Sequence, residues 1–293
     1  MKNKIALGAA QFGLTYGIAN AVGQVSFEEV ARIILRARTE GVDTIDTAIA
    51  YGSSEVSLGF AGVDGFRVIS KLPPLPPNTK NVVKWIVNQV EKSLERLKIS
   101  RLEAVLLHNS EDITGAYASE YCEAFNLLKS SNLSLATGVS IYDPKELDLI
   151  WRQQKLWLPD IIQSPLNIFD QRLVESGWLT KLAGQGIRVH VRSIFLQGLL
   201  LMPAVKRPSY FKPWESNLNN WLNWCESEDI GCLPAALRFV MMQPEIERVV
   251  LGVDSLNQFE EILVDSDSDI RSEMELFRTD DLGLIDPRQW KLS

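Results

Sequence analysis

The chain has 293 residues, 46% of them hydrophobic, and a formal net charge of −7. This length and apolar fraction suffice for one large core, about the size of a single α/β barrel. The acidic balance argues against nucleic acid or an anionic membrane surface as partner, since both need clustered Lys and Arg, and no apolar run approaches the ~18 residues of a membrane span.

The N-terminal stretch Lys2-Asn-Lys-Ile-Ala-Leu-Gly8 is apolar after two basic residues, but Gln11 interrupts it and no small-residue cleavage pattern follows. A first strand over 4–10 is expected there. Ser26 with Glu29 forms a capping box, after which Val30, Ile33, Ile34 and Ala37 fall on one helical face. Short apolar and β-branched runs at 44–48 and 67–72 predict the next strands. Val83, Ile86, Val90, Leu94 and Leu97 then make a second helical stripe, with Glu91, Lys92, Glu95 and Arg96 on the opposite side. Further strands are expected at 102–108, 136–141, 161–166, 188–194 and 248–253. Residues 203–216, rich in Pro and aromatics, predict a long loop after strand seven. From Asp265 to the C-terminus the chain is acidic and irregular, which predicts a surface extension over 265–293. Eight strands alternating with helices imply parallel pairing and right-handed crossovers. At this length a single-domain (β/α)8 TIM barrel is favoured over an open doubly wound sheet. Cys122, Cys225 and Cys232 are odd in number and lack metal-ligand spacing. They read as reduced thiols of a cytoplasmic protein.

Three successive strands end in different ionisable residues: Asp46, Lys71 and His108. Buried charge is costly unless paired, so packing alone explains this poorly, whereas a site at the carboxyl mouth of a barrel explains it directly. Tyr51 lies on the loop just beyond strand two and can hang over the same mouth. An adjacent ammonium would lower the phenol pKa from about 10 toward the working range. Lys71 would supply that ammonium, Asp46 would hold the lysine charged, and a neutral His108 could hydrogen-bond a carbonyl oxygen. His190, inside strand seven, reads as a hydrogen-bonded core histidine. Trp221 and Trp224, at helical spacing beside Leu218 and Leu222, read as packing, and so does Trp214.

The Asp46-Thr-Ala-Ile-Ala-Tyr-Gly52 segment, Ser70-Lys-Leu72 and Leu106-Leu-His108 resemble the aldo-keto reductase superfamily. So do Leu7-Gly-Ala-Ala-Gln-Phe-Gly13, Gly138-Val-Ser140, Gln163-Ser-Pro-Leu-Asn167, Ser193-Ile-Phe-Leu-Gln-Gly-Leu-Leu200 and Gly252 through Glu261, in that order along the chain. The resemblance implies reduction of a small-molecule aldehyde or ketone with NADPH or NADH, Tyr51 acting as general acid, Lys71 and Asp46 tuning it, and His108 orienting the carbonyl. It further implies that Ser140 and Gln163 hold the nicotinamide carboxamide, and that the backbone around Ser193, Leu196 and Gly198 holds the pyrophosphate. Gly252, Asp254, Gln258 and Glu261 correspond to the adenosine end. Arg192 stands where many relatives stack a tyrosine on the nicotinamide, and its guanidinium plane could stack likewise. Phe12, Tyr16, Tyr142 and Phe169 follow strand ends and are candidates to line the substrate pocket.

Two positions depart from the family pattern. Ile141 replaces a usual asparagine, and no Lys or Arg lies between Val249 and Glu261, where relatives often hold the adenosine 2′-phosphate. A weak or absent preference for NADPH is therefore expected, with Asp254 repelling the phosphate. Two other readings of the resemblance are oxidation of a sugar or sugar-nucleotide hydroxyl by the reverse reaction, and a slow-turnover, cofactor-binding regulatory subunit.

Overall fold

A computed structural model describes residues 2–152, 154–265 and 275–292. Eight parallel strands close into one barrel in chain order: β1 (Ile5–Gly8), β2 (Thr44–Asp46), β3 (Arg67–Leu72), β4 (Leu102–Leu107), β5 (Ser134–Ser140), β6 (Ile161–Pro165), β7 (Arg188–Arg192) and β8 (Ile246–Gly252). Around it run α1 (Phe27–Thr39), α2 (Ser54–Ala61), α3 (Val82–Leu97), α4 (Glu111–Thr114), α5 (Ala118–Ser130) and α6 (Lys145–Arg152). The second half adds α7 (Arg172–Glu175), α8 (Trp178–Gly184), α9 (Glu215–Ser227), α10 (Cys232–Met241), α11 (Leu256–Asp265) and α12 (Leu282–Ile285). Of the expected capping box the N-cap half forms, with Glu29 N–H donating to Ser26 Oγ at 3.2 Å, while the Glu29 carboxylate turns to Leu256 N–H and Arg32; Val30, Ile33, Ile34 and Ala37 are the buried face of α1. This is the single-domain (β/α)8 barrel anticipated from the alternation of elements.

Side-chain alternation assigns every strand residue to the barrel interior or to the helix layer. Register pairs Gly8 with Asp46, Asp46 with Ile69, Lys71 with Leu106, Leu106 with Gly138, and Ser140 with Gln163. The inward set therefore runs Asp46, Arg67-Ile69-Lys71, Ala104-Leu106, Ala136-Gly138-Ser140, Ile161-Gln163 and Arg188-His190-Arg192. Ile69, Ala104, Leu106, Ala136 and Ile161 form a small apolar cluster of their own inside the barrel, separate from the large core between strands and helices. Polar inward residues are left for the two ends.

Beneath that apolar layer the amino ends of the strands are tied by charge. Glu103 accepts from Arg67 at 2.9 Å and from Arg188 at 2.6 Å, and Glu247 meets His190 at 3.0 Å and Arg67 at 3.4 Å. Arg248 reaches Asp43 at 3.3 Å and donates to Thr44 Oγ1 at 3.0 Å. His190 is thus a hydrogen-bonded interior residue of this floor.

Two boundaries of expectation shift. The stretch at 203–216 is ordered rather than a plain loop: two short 3-10 helices, Ala204–Lys206 and Ser209–Trp214, lead directly into α9. Pro203, Pro208 and Pro213 hold φ in the range such turns need, and the aromatics have a partner. That partner is the C-terminal segment, part of which (266–274 and 293) lies outside the described residues. Within 275–292, Gly283 O accepts from Tyr210 Oη at 3.0 Å, Asp281 from Trp214 Nε1 at 2.8 Å, and Trp290 packs edge-on against Phe211. Trp221 is buried and donates to Leu200 O at 2.9 Å, as a packing residue should.

Gly138 marks the tightest point of the interior. A Cβ there would collide with the Ile161 carbonyl oxygen and stand 2.7 Å from Leu106 Cδ2. Gly138→Ala is expected to lower unfolding stability by about 2 kcal/mol or more through forced separation of β5 and β6. A urea midpoint equal to wild type would show that the two strands can part there at no cost.

Candidate active site

Asp46, Lys71, Ser140 and Arg192 are the last inward residues of their strands, Gln163 is the inward residue two before the end of β6, and His108 directly follows β4. The barrel mouth thus receives most of the residues singled out from sequence. Lys71 and Asp46 are buried, with 1% and 5% of their side chains exposed, and Lys71 Nζ lies 2.5 Å from Asp46 Oδ1. The ammonium also donates to Thr47 O at 2.9 Å, while Gln163 Nε2 donates to Asp46 Oδ2 at 2.7 Å. Both carboxylate oxygens are therefore occupied. Burial lowers the lysine pKa, and the aspartate opposes that fall.

Tyr51 is placed by two absent side chains. A Cβ on Gly13 would run into the Tyr51 carbonyl oxygen, and one on Gly52 into the Gly13 carbonyl oxygen, so the β1 and β2 loops pass at backbone distance. Gly52 also has φ of 53°, which favours glycine. Just beyond, Ser54 Oγ donates to Ala9 O at 2.7 Å. Glu55, buried, accepts from Ser70 Oγ at 2.7 Å, Ser93 Oγ at 2.6 Å and Arg96 Nε at 2.8 Å. This carboxylate pins α2 to β3 and α3. The Tyr-Gly dipeptide signalled the turn, but nothing in the local pattern revealed Gly13 or Glu55 as its supports.

The phenol ring stands between the ion pair and the imidazole. Lys71 Nζ is 5.4 Å from the Tyr51 centroid, and His108 packs edge-on with centroids 5.8 Å apart. The electrostatics correct one expectation. Burial, and then the charge of Asp46, push the Tyr51 phenol up, with Arg192 pulling it down. Lys71 does not acidify it because the ammonium faces the ring and its charge is matched by Asp46 at contact distance. Tyr51 is therefore a protonated phenol at neutral pH. Burial, reinforced by Lys71 and Arg192, lowers His108 to about 4, so its imidazole is neutral.

Arg192 takes neutral partners: Ile141 O at 3.0 Å, Ser193 Oγ at 3.2 Å and Ser140 Oγ at 3.4 Å. Its guanidinium lies over the Tyr142 ring at 4.2 Å, and Arg288, from the C-terminal segment, lies over the same ring at 3.8 Å. Arg288 is a mouth residue that sequence gave no sign of, because it is carried in from the far end of the chain. Among the four aromatic candidates, Tyr16 is 42% exposed and Tyr142 half-buried. Phe12 and Phe169, at 0% and 1%, belong to the large apolar core and have no surface to offer a ligand.

Past β7, Ser193, Leu196 and Gln197 all have positive φ, and Gly198 has φ of 91° with its α-carbon pressed toward Ala19 Cβ. Within this turn the Leu196 N–H donates to Ser193 O at 3.0 Å and the Gly198 N–H to Phe195 O at 2.9 Å, so those two donors are taken. At the end of β8, Gly252 leaves room for the Gln11 amide. Asp254 N–H donates to Gln258 Oε1 at 2.8 Å, and Glu261 is exposed. Gln163 Oε1 is buried without a hydrogen-bond partner.

The sequence model of the aldo/keto reductase family matches residues 4–273. The fold is similar to the holo form of the aldo-keto reductase AKR11C1 from Bacillus halodurans, with TM-score 0.73 at 19% identity over 94% of this chain and 90% of that one. It is also similar to the glycerol dehydrogenase AKR11B4 from Gluconobacter oxydans, with TM-score 0.71 at 21% identity over 93% and 89%. At these identities the structural likeness speaks for the fold alone. No protein of curated function matches the sequence. Among the described residues no helix is long and apolar enough to cross a membrane.

Two measurements probe the mouth. Lys71→Met leaves Asp46 buried with Gln163 as its remaining donor, so stability should fall by about 1–3 kcal/mol, and Asp46→Asn in the same chain should restore part of it. Additive losses in the double variant would mean the two charges do not see each other. His108 titrates at about 4 folded and 6.5 unfolded. Only the unfolded chain takes up the proton between these values, so stability present above pH 6.5 declines as pH falls toward 4, on the order of 3 kcal/mol in all. His108→Gln should remove that increment from the pH dependence of the urea midpoint. Identical slopes for the two proteins would place a charged imidazole in the fold.

Proposed function

We propose, from the premise that this chain belongs to the aldo/keto reductase family, that it reduces an aldehyde or ketone with Tyr51 as the general acid. As a member of that family it is an NAD(P)-dependent oxidoreductase, its cofactor is NADPH or NADH, and its substrates are small carbonyl compounds. The observation that carries the finer reading is the protonated phenol of Tyr51, held between a neutral imidazole and a charge-balanced ion pair at the open end of a barrel.

Ser140, Gln163 and Arg192 would hold the nicotinamide end of the cofactor, Ser193, Leu196 and Gly198 the pyrophosphate, and Gly252, Asp254, Gln258 and Glu261 the adenosine. The unpartnered Gln163 Oε1 would accept the amide hydrogens of a carboxamide that reached it. When bound, the reduced cofactor supplies the hydride. His108, neutral, donates its ring N–H to the carbonyl oxygen and fixes the approach of the substrate. Tyr51 then gives its proton to the same oxygen as negative charge develops there. A phenol pKa raised by burial suits this, because the alkoxide that forms is a stronger base than phenolate, while the proton stays on Tyr51 until that moment. Lys71, bonded to Asp46 and to Thr47 O, would serve to position the phenol rather than to acidify it. Tyr16 and Tyr142 face the substrate.

Tyr51→Phe keeps the ring and removes the proton. Turnover of a generic aldehyde should fall roughly 10² to 10⁴-fold while the cofactor dissociation constant stays close to wild type. Turnover retained within about threefold would assign the proton to another group.

A further inference from the structure

The turn between β8 and α11 carries two carboxylates, Glu29 against its first residue and Asp254 within it. In barrels, the loops after the last two strands and the N-terminus of the following helix are a common phosphate site, because first-turn N–H groups project unpaired and the helix dipole favours an anion. Here two donors at the turn are already committed to oxygens of this chain. Leu256, the first residue of α11, gives its N–H to Glu29 Oε1 at 2.6 Å, and Asp254 gives its N–H to Gln258 Oε1 at 2.8 Å. Asp254 Oδ1 is in turn held by Asn20 Nδ2 at 3.2 Å, which fixes a second carboxylate at the same turn. The neighbouring cations of α1 are paired: Arg32 with Glu29 at 2.8 Å, and Arg36 with Glu40 at 2.8 Å and Glu260 at 3.1 Å.

We infer that this turn selects NAD(H) over NADP(H), with Glu29 and Asp254 as the determinants. The inference rests on the nicotinamide-dependent reading above and adds to it the choice of cofactor. A 2′-phosphate bears close to two negative charges and would meet two carboxylates and no free first-turn donor at Leu256. A ribose 2′-hydroxyl is itself a donor, and a carboxylate is the acceptor that dinucleotide sites elsewhere use for it. Glu29 sits on α1, more than two hundred residues before the turn it guards, and so is invisible to any reading of the strand-eight loop alone.

Isothermal titration of the full-length protein with NADH and with NADPH tests this without any turnover. The wild type should bind NADH at least about tenfold tighter, with the gap narrowing as salt screens the carboxylates. Glu29→Gln retains a carbonyl acceptor for Leu256, and Asp254→Asn retains an oxygen for Asn20. The double variant should therefore keep its melting temperature and gain about tenfold in NADPH affinity. NADPH binding as tightly as NADH in the wild type would overturn the inference, as would a double variant with unchanged NADPH affinity. Loss of tight NADPH binding in Arg32→Ala would show that this arginine leaves Glu29 to hold the phosphate, the opposite arrangement. Binding of neither nucleotide would overturn the nicotinamide-dependent reading itself.

Discussion

The buried contact between Lys71 and Asp46 is the constraint around which the barrel mouth is arranged. Two charges removed from water cost several kcal/mol each, and only close pairing with further hydrogen bonds offsets that. Thr47 O and Gln163 Nε2 supply those bonds. Because Asp46 ends β2, Lys71 lies on β3 and Gln163 on β6, satisfying the pair ties strands from opposite sides of the barrel across its interior. The tie fixes the floor of the mouth to within hydrogen-bond tolerances, and Tyr51 rests on that floor.

Support for Tyr51 comes from a different direction. Its loop is wedged between the β1 turn and α2 by the close passage of Gly13 and Gly52, and α2 is fastened by Glu55. The backbone that carries the phenol is thus fixed by rigid elements, as a positioned proton donor requires. The His108 ring packs edge-on against the phenol.

Strand ends were legible because the ionisable residues interrupt otherwise apolar runs, and the alternation of strands with helical stripes was enough for the barrel. Asp46, Lys71 and His108 followed from position, each being the ionisable residue that closes an apolar run, and the register of the barrel places each at the inward phase. Periodicity, however, reports phase and not depth. Phe12 and Phe169 follow strand ends just as Tyr16 and Tyr142 do, yet the two phenylalanines, with no hydroxyl to keep wet, sink into the core. Contacts across the sequence were beyond reach. Nothing near Tyr142 announces that Arg192 and Arg288 will both lie over its ring, and nothing near Leu256 announces Glu29. The direction of the Tyr51 shift was misjudged for a related reason. Spacing places an ammonium beside a phenol but does not say that the ammonium will be neutralised before the phenol feels it.

The charged floor has a consequence for traffic through the barrel. Arg67, Glu103, Arg188, Glu247 and Arg248 knit the amino ends of the strands together, and the apolar layer of Ile69, Ala104, Leu106, Ala136 and Ile161 lies between them and Lys71. That layer separates the charged floor from the mouth, so a proton given up by Tyr51 in the proposed reaction would be replaced from the carboxyl side of the barrel, and resupply of protons would share that side with exchange of ligands.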